Sequence, residues 1–309
     1  MKLEKWLQLL ISIAILFFLF RYINLGLVYQ KIKTLHLQFV ILAILLYFLS
    51  VFVRIFRLYN IINKDEHKIN LWETTQMSFI GAALNFILPA STGEVAMSYY
   101  GYKLFNQKGD VLASVLIDKL FATISIFTLS TLSSLIYRLY TVTLVSFLCT
   151  IILGIIIYKP TLIPWKIFNK LLFFFTKKTI NLKHLTDASR LSSSYKILSF
   201  LLSFLGWYLV FYQAFLFSRA LSIHINFNQL SLLYPLVSVI RLLPITLNGI
   251  GAQEAVSLYL FKTFINIDEI SAMGIALLMR CMNYFFPALI GTVFITLGIK
   301  KKHPIHQSE

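Results

Sequence analysis

Two interruptions of otherwise apolar sequence carry the residues most able to do chemistry. The first runs from Leu88 to Glu94 (LPASTGE) and the second from Leu243 to Glu254 (LPITLNGIGAQE). In each, a proline is followed by polar residues, glycine and a glutamate. Proline removes a backbone donor and breaks a helix, while glycine permits unusual backbone angles. The pattern predicts a broken helix at both places, with each glutamate near the N-terminus of a new helix, where the helix dipole favours negative charge.

A basic residue follows each glutamate at nearly the same distance along the chain. Lys119 follows Glu94, and Arg280 follows Glu254, each inside the next long apolar run. An ionisable side chain within hydrocarbon costs about 2.5–3.5 kcal/mol on insertion scales, so it usually faces the bundle interior and pairs with another group. We therefore predict the ion pairs Glu94–Lys119 and Glu254–Arg280, with Asp118 beside the first.

Paired charges beside broken helices are typical of transporter binding sites, whereas apolar packing alone would serve stability as well. A role in substrate binding or gating is therefore favoured. The alternative is that the charges only lock each broken segment onto its neighbouring helix. The candidate binding or gating residues are Asn85, Pro89, Gly93, Glu94, Asp118, Lys119, Pro244, Asn248, Gly249, Gly251, Glu254 and Arg280.

Arg54 and Arg57 form a second candidate group. They stand three residues apart on one helix face near a predicted cytoplasmic end, where they could bind a phosphate or a lipid headgroup. Extension of both side chains into the headgroup layer is the favoured alternative. No nucleophile elbow, P-loop, dinucleotide-binding glycine pattern or metal-binding His-Glu motif occurs in the chain. We therefore expect no metal, no cofactor and no enzyme of a soluble class.

The elements that must position these residues are transmembrane helices. Apolar residues make up 58% of the chain and charged residues only 13%, against about 25% charged in soluble proteins. Several apolar runs are long enough to cross about 30 Å of hydrocarbon. Six full spans are predicted at 6–22, 37–55, 111–137, 139–158, 197–218 and 270–298. The prediction is a single all-α polytopic membrane domain over 1–309.

The distribution of basic residues predicts the topology. The link 159–196 is rich in lysine and arginine, so the positive-inside rule places it, with both termini, on the cytoplasmic side of the cell membrane. That arrangement requires 72–106 and 228–263 each to enter and leave on one face. The two stretches are therefore predicted to be re-entrant helical hairpins of opposite sense, in an inverted repeat of about 37–137 and about 197–298. A pair of ordinary kinked helices in each stretch would give the same topology.

The net charge of +16 could indicate a nucleic-acid partner. The basic residues, however, fall in short links between apolar runs rather than on one soluble face, and anionic lipid headgroups attract such links. We therefore expect membrane lipids as partners and no nucleic acid.

One known family shows the same pattern at both breaks. The residues that carry the likeness are Asn85, Leu88, Pro89, Gly93, Glu94, Leu243, Pro244, Asn248, Gly249, Gly251, Glu254 and Arg280. With them, the chain resembles the transmembrane flippase-like domain of the lysylphosphatidylglycerol synthase family over roughly 5–298. The resemblance covers the membrane region alone, so we expect a stand-alone member that lacks the soluble aminoacyltransferase domain.

The resemblance implies translocation of a modified phospholipid or a polyprenyl-linked lipid between leaflets, and therefore an anionic or isoprenoid-linked lipid as partner. Asp118-Lys119 stands where the family often shows an arginine, and 90–92 lacks the family's common basic residue. These departures leave the preferred headgroup charge open.

Two alternatives to transport remain. The chain could be a membrane enzyme, with Glu94 or Glu254 as a general base, that works beside a glycosyltransferase or another lipid-modifying enzyme in envelope glycolipid synthesis. It could also be a subunit that scaffolds such enzymes. Transport is favoured, because paired charges at broken helices recur around transported substrates.

Overall fold

The computed structural model describes residues 2–63, 69–87, 93, 96–98, 111–158, 191–242 and 246–300, apart from the side chains at 2–9, 20, 87, 247 and 298–300. These segments are helices joined by turns, which confirms the predicted all-α class. The helices are α1 (Lys2–Tyr22), α2 (Leu25–Lys33), α3 (Leu37–Ile62), α4 (Leu71–Ile87), α5 (Val111–Ile136), α6 (Tyr140–Tyr158), α7 (Ser193–Ala220), α8 (Phe227–Ile240), α9 (Ala252–Ile265), α10 (Glu269–Arg280) and α11 (Phe286–Lys300), with a 3-10 turn at Leu247–Gly249 and a π-helical turn at Cys281–Phe285.

Five stretches are long and apolar enough to span a membrane: Leu37–Ile62, Val111–Ile136, Tyr140–Tyr158, Ser193–Ala220 and Glu269–Leu297. They match five of the six predicted spans, and the last joins α10 to α11 through the π-helical turn. The remaining predicted span, 6–22, lies within α1, where Leu10–Leu19 is a shorter apolar stretch. Most of the predicted basic link, 159–190, lies outside the described residues.

Helix α2 was not predicted from the sequence. It begins where Asn24 caps it, because the Asn24 side chain accepts hydrogen bonds from the backbone N–H groups of Gly26 and Leu27 at 3.0 and 3.3 Å. The helix packs against α10. A short capped helix between two apolar runs is easily mistaken for a loop when apolar run length is the only signal.

Helices of the two predicted repeat units, 37–137 and 197–298, pack mainly against helices of the other unit. The most extensive contact joins α3 to α7, the first helix of each unit. Helix α4 of the first unit then packs against α11 of the second, while α8 of the second unit packs against α5 of the first. The largest cluster of buried apolar side chains lies in the middle of this arrangement, with members on α3, α7, α8, α9 and α10.

Several links between helices meet at one end of the bundle. Before α3, His36 hydrogen-bonds through Nε2 to Ser222 Oγ after α7, at 3.0 Å. After α1, the Tyr22 hydroxyl donates to Glu269 Oε1 at the start of α10, at 2.6 Å. These links are the ones that the charge distribution predicts on a common, outer face. Helix α3 starts at this end and finishes at the other, where α4 begins. Helix α8 begins at this end, shortly after Ser222, so α4 and α8 begin at opposite ends of the bundle.

An ionic cluster holds α2 and α10 together at that end. Lys31 Nζ lies 3.8 Å from Asp268 Oδ2 and also contacts Ser271 Oγ. Burial acts to raise the pKa of Asp268, but hydrogen bonds from Ser271 and the charge of Lys31 outweigh it and hold that pKa below its usual value. A carboxylate with a lowered pKa stabilises the folded state at neutral pH and loses that contribution only as the pH falls through the lowered value. Asp268 is therefore ionised at neutral pH.

The close packing of α4 on α11 depends on Gly291. A Cβ atom at this position would lie 1.9 Å from the backbone oxygen of Phe79. Gly291→Ala is therefore expected to force the helices apart and lower the free energy of unfolding by about 1–3 kcal/mol, measured by thermal or denaturant unfolding in detergent. Gly154→Ala is the matched control, because its added Cβ would meet only Ile124 Cδ1 at 3.8 Å. Equal losses in the two variants would contradict the packing argument.

Candidate functional site

The second break has the backbone geometry that its sequence predicts. After α8 ends, Asn248, Gly249 and Gly251 adopt left-handed backbone conformations with φ of 49°, 74° and 83°. Gly251 then caps α9, and its backbone N–H donates to Glu254 Oε2 at 2.8 Å. Glycine suits these angles because it has no Cβ. Pro244 lies outside the described residues.

Helices α8 and α9 form a hairpin around this break. Each has 14 residues, which gives a length of about 21 Å, and the two pack against each other. A membrane core of about 30 Å is longer than either helix. Neither helix is therefore long enough to cross such a core by itself.

Glu254 and Arg280 form the predicted ion pair. Arg280 Nε and Nη2 both lie 2.6 Å from Glu254 Oε1. The same guanidinium donates to the backbone oxygens of Asn248 at 3.3 Å and Gly249 at 3.1 Å. Both side chains are buried, with 5% and 7% of their surfaces exposed. Arg280 thus satisfies carbonyl groups that the broken helix releases, and Glu254 compensates its charge.

The first break is described only in part. Gly93 packs against the last turn of α4 so closely that a Cβ would lie 2.2 Å from the backbone nitrogen of Asn85. Pro89 and Glu94 lie outside the described residues, and the predicted pair Glu94–Lys119 with them. The Asn248 side-chain amide donates to the backbone oxygen of Asn85. The end of α4, just before the first break, therefore touches the second break.

Asp118 forms an ion pair with Arg57, a partner that the sequence did not predict. Arg57 Nε donates to Asp118 Oδ1 at 2.6 Å and Nη2 to Oδ2 at 2.9 Å, which is a two-pronged arginine–carboxylate contact. Arg57 Nη1 donates to Ser203 Oγ at 2.6 Å. The expectation that Arg57 extends to the headgroups is wrong, because only 4% of Arg57 is exposed. Packing of α5 and α7 against α3 gives it buried partners instead.

Arg54 differs from Arg57. Its side chain is exposed and its Nε donates to the backbone oxygen of Ser50 at 3.4 Å. Arg54 and Arg57 therefore both face the same cavity, but Arg57 is buried in its ion pair whereas Arg54 is exposed.

A cavity of about 240 Å³ lies where the end of α4 meets the second break. It brings together candidate residues from distant parts of the sequence. The predicted residues that line it are Arg54, Arg57, Asn85, Asp118, Lys119, Asn248, Glu254 and Arg280. Gly93, Gly249 and Gly251 are not in the lining but shape the adjacent backbone.

Several lining residues were not among the sequence candidates. Arg241, Gln253, Asn283 and Tyr284 cluster around the second break. Arg241 was detectable as a basic residue three positions before Pro244. Tyr284 and Asn283 belong to the π-helical turn, whose signal in the sequence is Pro287 inside an apolar run.

The described part of the cavity wall carries a net positive charge, and its uncharged residues are both polar and apolar. Its basic residues are Arg54, Arg57, Lys119, Arg241 and Arg280, and its carboxylates are Asp118 and Glu254. Apolar and aromatic side chains, such as Tyr47, Phe79 and Met279, complete the wall. Such a wall suits an amphipathic ligand with a polar, negatively charged part.

One protein family matches the chain. The sequence model described as the lysylphosphatidylglycerol synthase TM region matches residues 5–291. The match includes both breaks and every residue that lines the cavity. No curated protein matches the chain.

Proposed function

The chain belongs to the family of the lysylphosphatidylglycerol synthase TM region, and from this membership and the central cavity we propose that it is a flippase-like transporter. Its substrate is a modified phospholipid or a polyprenyl-linked lipid, which it moves between the two leaflets of the cell membrane. The transported headgroup occupies the cavity, and the acyl or prenyl chains stay against the apolar surface.

One observation carries the proposal: the end of α4, just before the first break, meets the second break at a single cavity with charged, polar and apolar walls. A headgroup crosses a bilayer slowly because polar groups are costly in hydrocarbon. Breaks inside a helical bundle provide polar backbone and a protected cavity at membrane depth. A cavity of this kind lowers the barrier for a headgroup without opening an aqueous pore.

Exchanged packing of the two units supports an inverted repeat. The contact of α4 with α11 has its counterpart in the contact of α8 with α5, and α3 meets α7 at the centre. Helices α4 and α8 begin at opposite ends of the bundle and finish at the cavity. In transporters with inverted repeats, one repeat moves against the other around a central site. We propose that the hairpins open the cavity alternately to the two leaflets, with both termini in the cytoplasm.

Geometry gives little support to the alternative in which Glu254 is a general base. Its Oε1 receives hydrogen bonds from Arg280, and its Oε2 receives one from the backbone N–H of Gly251. A base needs an oxygen that can reach a substrate proton. Two alternatives remain: an enzyme with Glu94 as its general base, a residue outside the described part of the chain, and a subunit that assists a membrane glycosyltransferase or another lipid-modifying enzyme without transport.

A leaflet-exchange assay tests the proposal. Purified protein is reconstituted into vesicles of phosphatidylethanolamine and phosphatidylglycerol that contain a trace of phosphatidylglycerol, or of its lysyl-modified form, with a fluorescent acyl chain. A membrane-impermeant reductant then bleaches only the outer-leaflet label. Vesicles with protein are expected to lose the remaining label faster than empty vesicles. Equal rates of label loss with and without protein, for the phospholipid probes and for polyprenyl-phosphate probes, would exclude transport and favour the subunit role.

Lys119→Gln tests whether the cavity is the path. Loss of one charged contact to a headgroup is expected to slow exchange about tenfold. Lys33→Gln is the matched control, because Lys33 is exposed on α2 and its Nζ lies 4.6 Å from the Tyr29 ring centre, away from the cavity. If both variants exchange lipid at the same rate, the cavity is not the path.

A further inference from the structure

The guanidinium groups of Arg241 and Arg280 both lie near the aromatic ring of Tyr284. The Cζ atom of Arg280 lies 4.4 Å from the ring centre and that of Arg241 lies 5.6 Å away. The Tyr284 hydroxyl accepts a hydrogen bond from Arg241 Nη1 at 3.3 Å and donates one to Gln253 Oε1 at 3.2 Å. All four side chains line the cavity. Contacts from three elements therefore restrain the position of the ring.

The π-helical turn that carries Tyr284 has a local cause. Pro287 has no backbone N–H, so the carbonyl oxygen of Asn283 lacks its ordinary α-helical donor. The backbone N–H of Phe286 bonds to Cys281 O, five residues earlier, as in a π-helix. Such widened turns are frequent at functional sites. Here the widened turn carries the aromatic residue that contacts both arginines.

The two arginines have different surroundings. Arg280 is buried, paired with Glu254, and bound to the backbone of the second break. Arg241 is partly exposed and caps the C-terminal end of α8, where the helix dipole favours a cation. The backbone of Gly249 lies against Arg241, since a Cβ on Gly249 would be 3.2 Å from its Cα. Arg280 therefore organises the break, whereas Arg241 is the more exposed of the two arginines at this ring and lies in the cavity wall, where a ligand can contact it.

We propose that Arg241 binds the phosphate group of the ligand and that Tyr284 positions Arg241 for this contact. A guanidinium presents parallel N–H donors that match the oxygens of a phosphate. The hydroxyl of Tyr284 and the face of its ring restrict the guanidinium to one side of the cavity. The assignment of this phosphate to a lipid rests on the proposed function. The same chemistry would also bind a free phosphate ion.

Binding in detergent tests the assignment without requiring transport. The thermal unfolding of the purified full-length chain is followed during titration with dioctanoyl phosphatidic acid, with dioctanoylglycerol, which lacks the phosphate, or with inorganic phosphate. Wild-type protein is expected to gain thermal stability with phosphatidic acid and much less with dioctanoylglycerol. An equal gain with inorganic phosphate would support the phosphate site and overturn the assignment to a lipid. No gain with either phosphate probe would overturn the proposal.

Substitutions at the two positions separate contact from positioning. Arg241→Gln is expected to raise the apparent Kd for phosphatidic acid about tenfold or more, and Arg241→Lys is expected to restore part of the loss. Tyr284→Leu should weaken binding although every cavity charge remains, while Tyr284→Phe, which keeps the ring, should weaken it less. The affinity for dioctanoylglycerol should not change, because it has no phosphate. A variant that merely unfolds would lose both ligands.

Arg219→Gln is the matched control for Arg241→Gln. Arg219 likewise lies at the C-terminal end of a helix, with its Cζ atom 5.0 Å from the ring centre of Phe215, but it is not part of the cavity wall. It should bind phosphatidic acid like the wild type. Wild-type affinity in Arg241→Gln or in Tyr284→Leu would overturn the proposal. Normal binding with no leaflet exchange would instead refute transport and leave the phosphate site standing.

Discussion

Glu254→Gln is expected to lower the free energy of unfolding by about 3–5 kcal/mol, because it leaves the buried guanidinium of Arg280 without its counter-ion. Only 6% of the Glu254 side chain and 8% of the Arg280 side chain are exposed, so solvent screens the lost interaction poorly. The loss is measured as a lower midpoint of the unfolding transition in detergent. Lipid exchange should fall to the rate of empty vesicles, because Arg280 also holds the carbonyl groups of the second break.

Glu269→Gln is the matched control for the charge change. Glu269 pairs with Lys262 at the end of the bundle, where 26% of the Glu269 side chain and 59% of the Lys262 side chain are exposed. Exposed ion pairs contribute little to stability, since water and salt screen them. The control variant should therefore unfold and exchange lipid nearly as the wild type does. A loss in Glu269→Gln as large as that in Glu254→Gln would contradict the importance of burial.

A double variant separates a structural role of this pair from a functional one. Replacing both Glu254 and Arg280 by glutamine removes the uncompensated charge, so part of the lost stability should return. Lipid exchange should remain absent if the charges act on the substrate or on gating. Recovery of exchange together with stability would mean that the pair only locks the hairpin onto α10.

The second break was predictable because its chemistry is local. Proline, glycine and the cost of a charge in hydrocarbon were sufficient to place a helix break before Glu254 and to require a basic partner for it. Arg280 was a buried cation in the next apolar run, and the structure pairs the two. Left-handed angles at Asn248, Gly249 and Gly251 follow from the same residue types.

The partner of Asp118 was not predictable by the same reasoning. Lys119 is adjacent in sequence, but neighbouring residues of a helix point in different directions. Arg57 and Ser203 approach Asp118 because α3, α5 and α7 pack together. Which helix faces meet depends on the complete packing of the bundle, so spacing along the chain could not identify this contact.

Arg241 and Tyr284 illustrate a second limit. Pro287 was visible in the sequence and indicates an irregular helix, but a proline can produce a kink, a π-helical turn or a helix end. Whether Tyr284 then faces Arg241 depends on where the hairpin of α8 and α9 lies against α10. Composition could predict that arginines occur near the break. Only the tertiary structure indicates that two of them contact the same ring.

Asp118→Asn is expected to be the second most damaging change at the cavity. The substitution keeps the shape of the side chain but removes the charge that the buried Arg57 contacts through two nitrogen atoms. We expect a loss of about 3 kcal/mol, at the lower end of the range for broken buried pairs, because 19% of the Asp118 side chain is exposed against 6% for Glu254. The order of the two losses is itself a test of the burial argument.

Two further variants decide how Asp118 acts. Arg57→Lys keeps the positive charge but cannot reproduce the planar two-pronged contact, so it should lose part of the stability that Asp118→Asn loses. Asp268→Asn is the control for the loss of an aspartate charge, because 61% of the Asp268 side chain is exposed in its contact with Lys31. If Asp118→Asn unfolds no more easily than Asp268→Asn, Arg57 is held by packing and by Ser203. If it does unfold more easily, the Arg57–Asp118 ion pair stabilises the contact of α3 with α5 at the cavity wall.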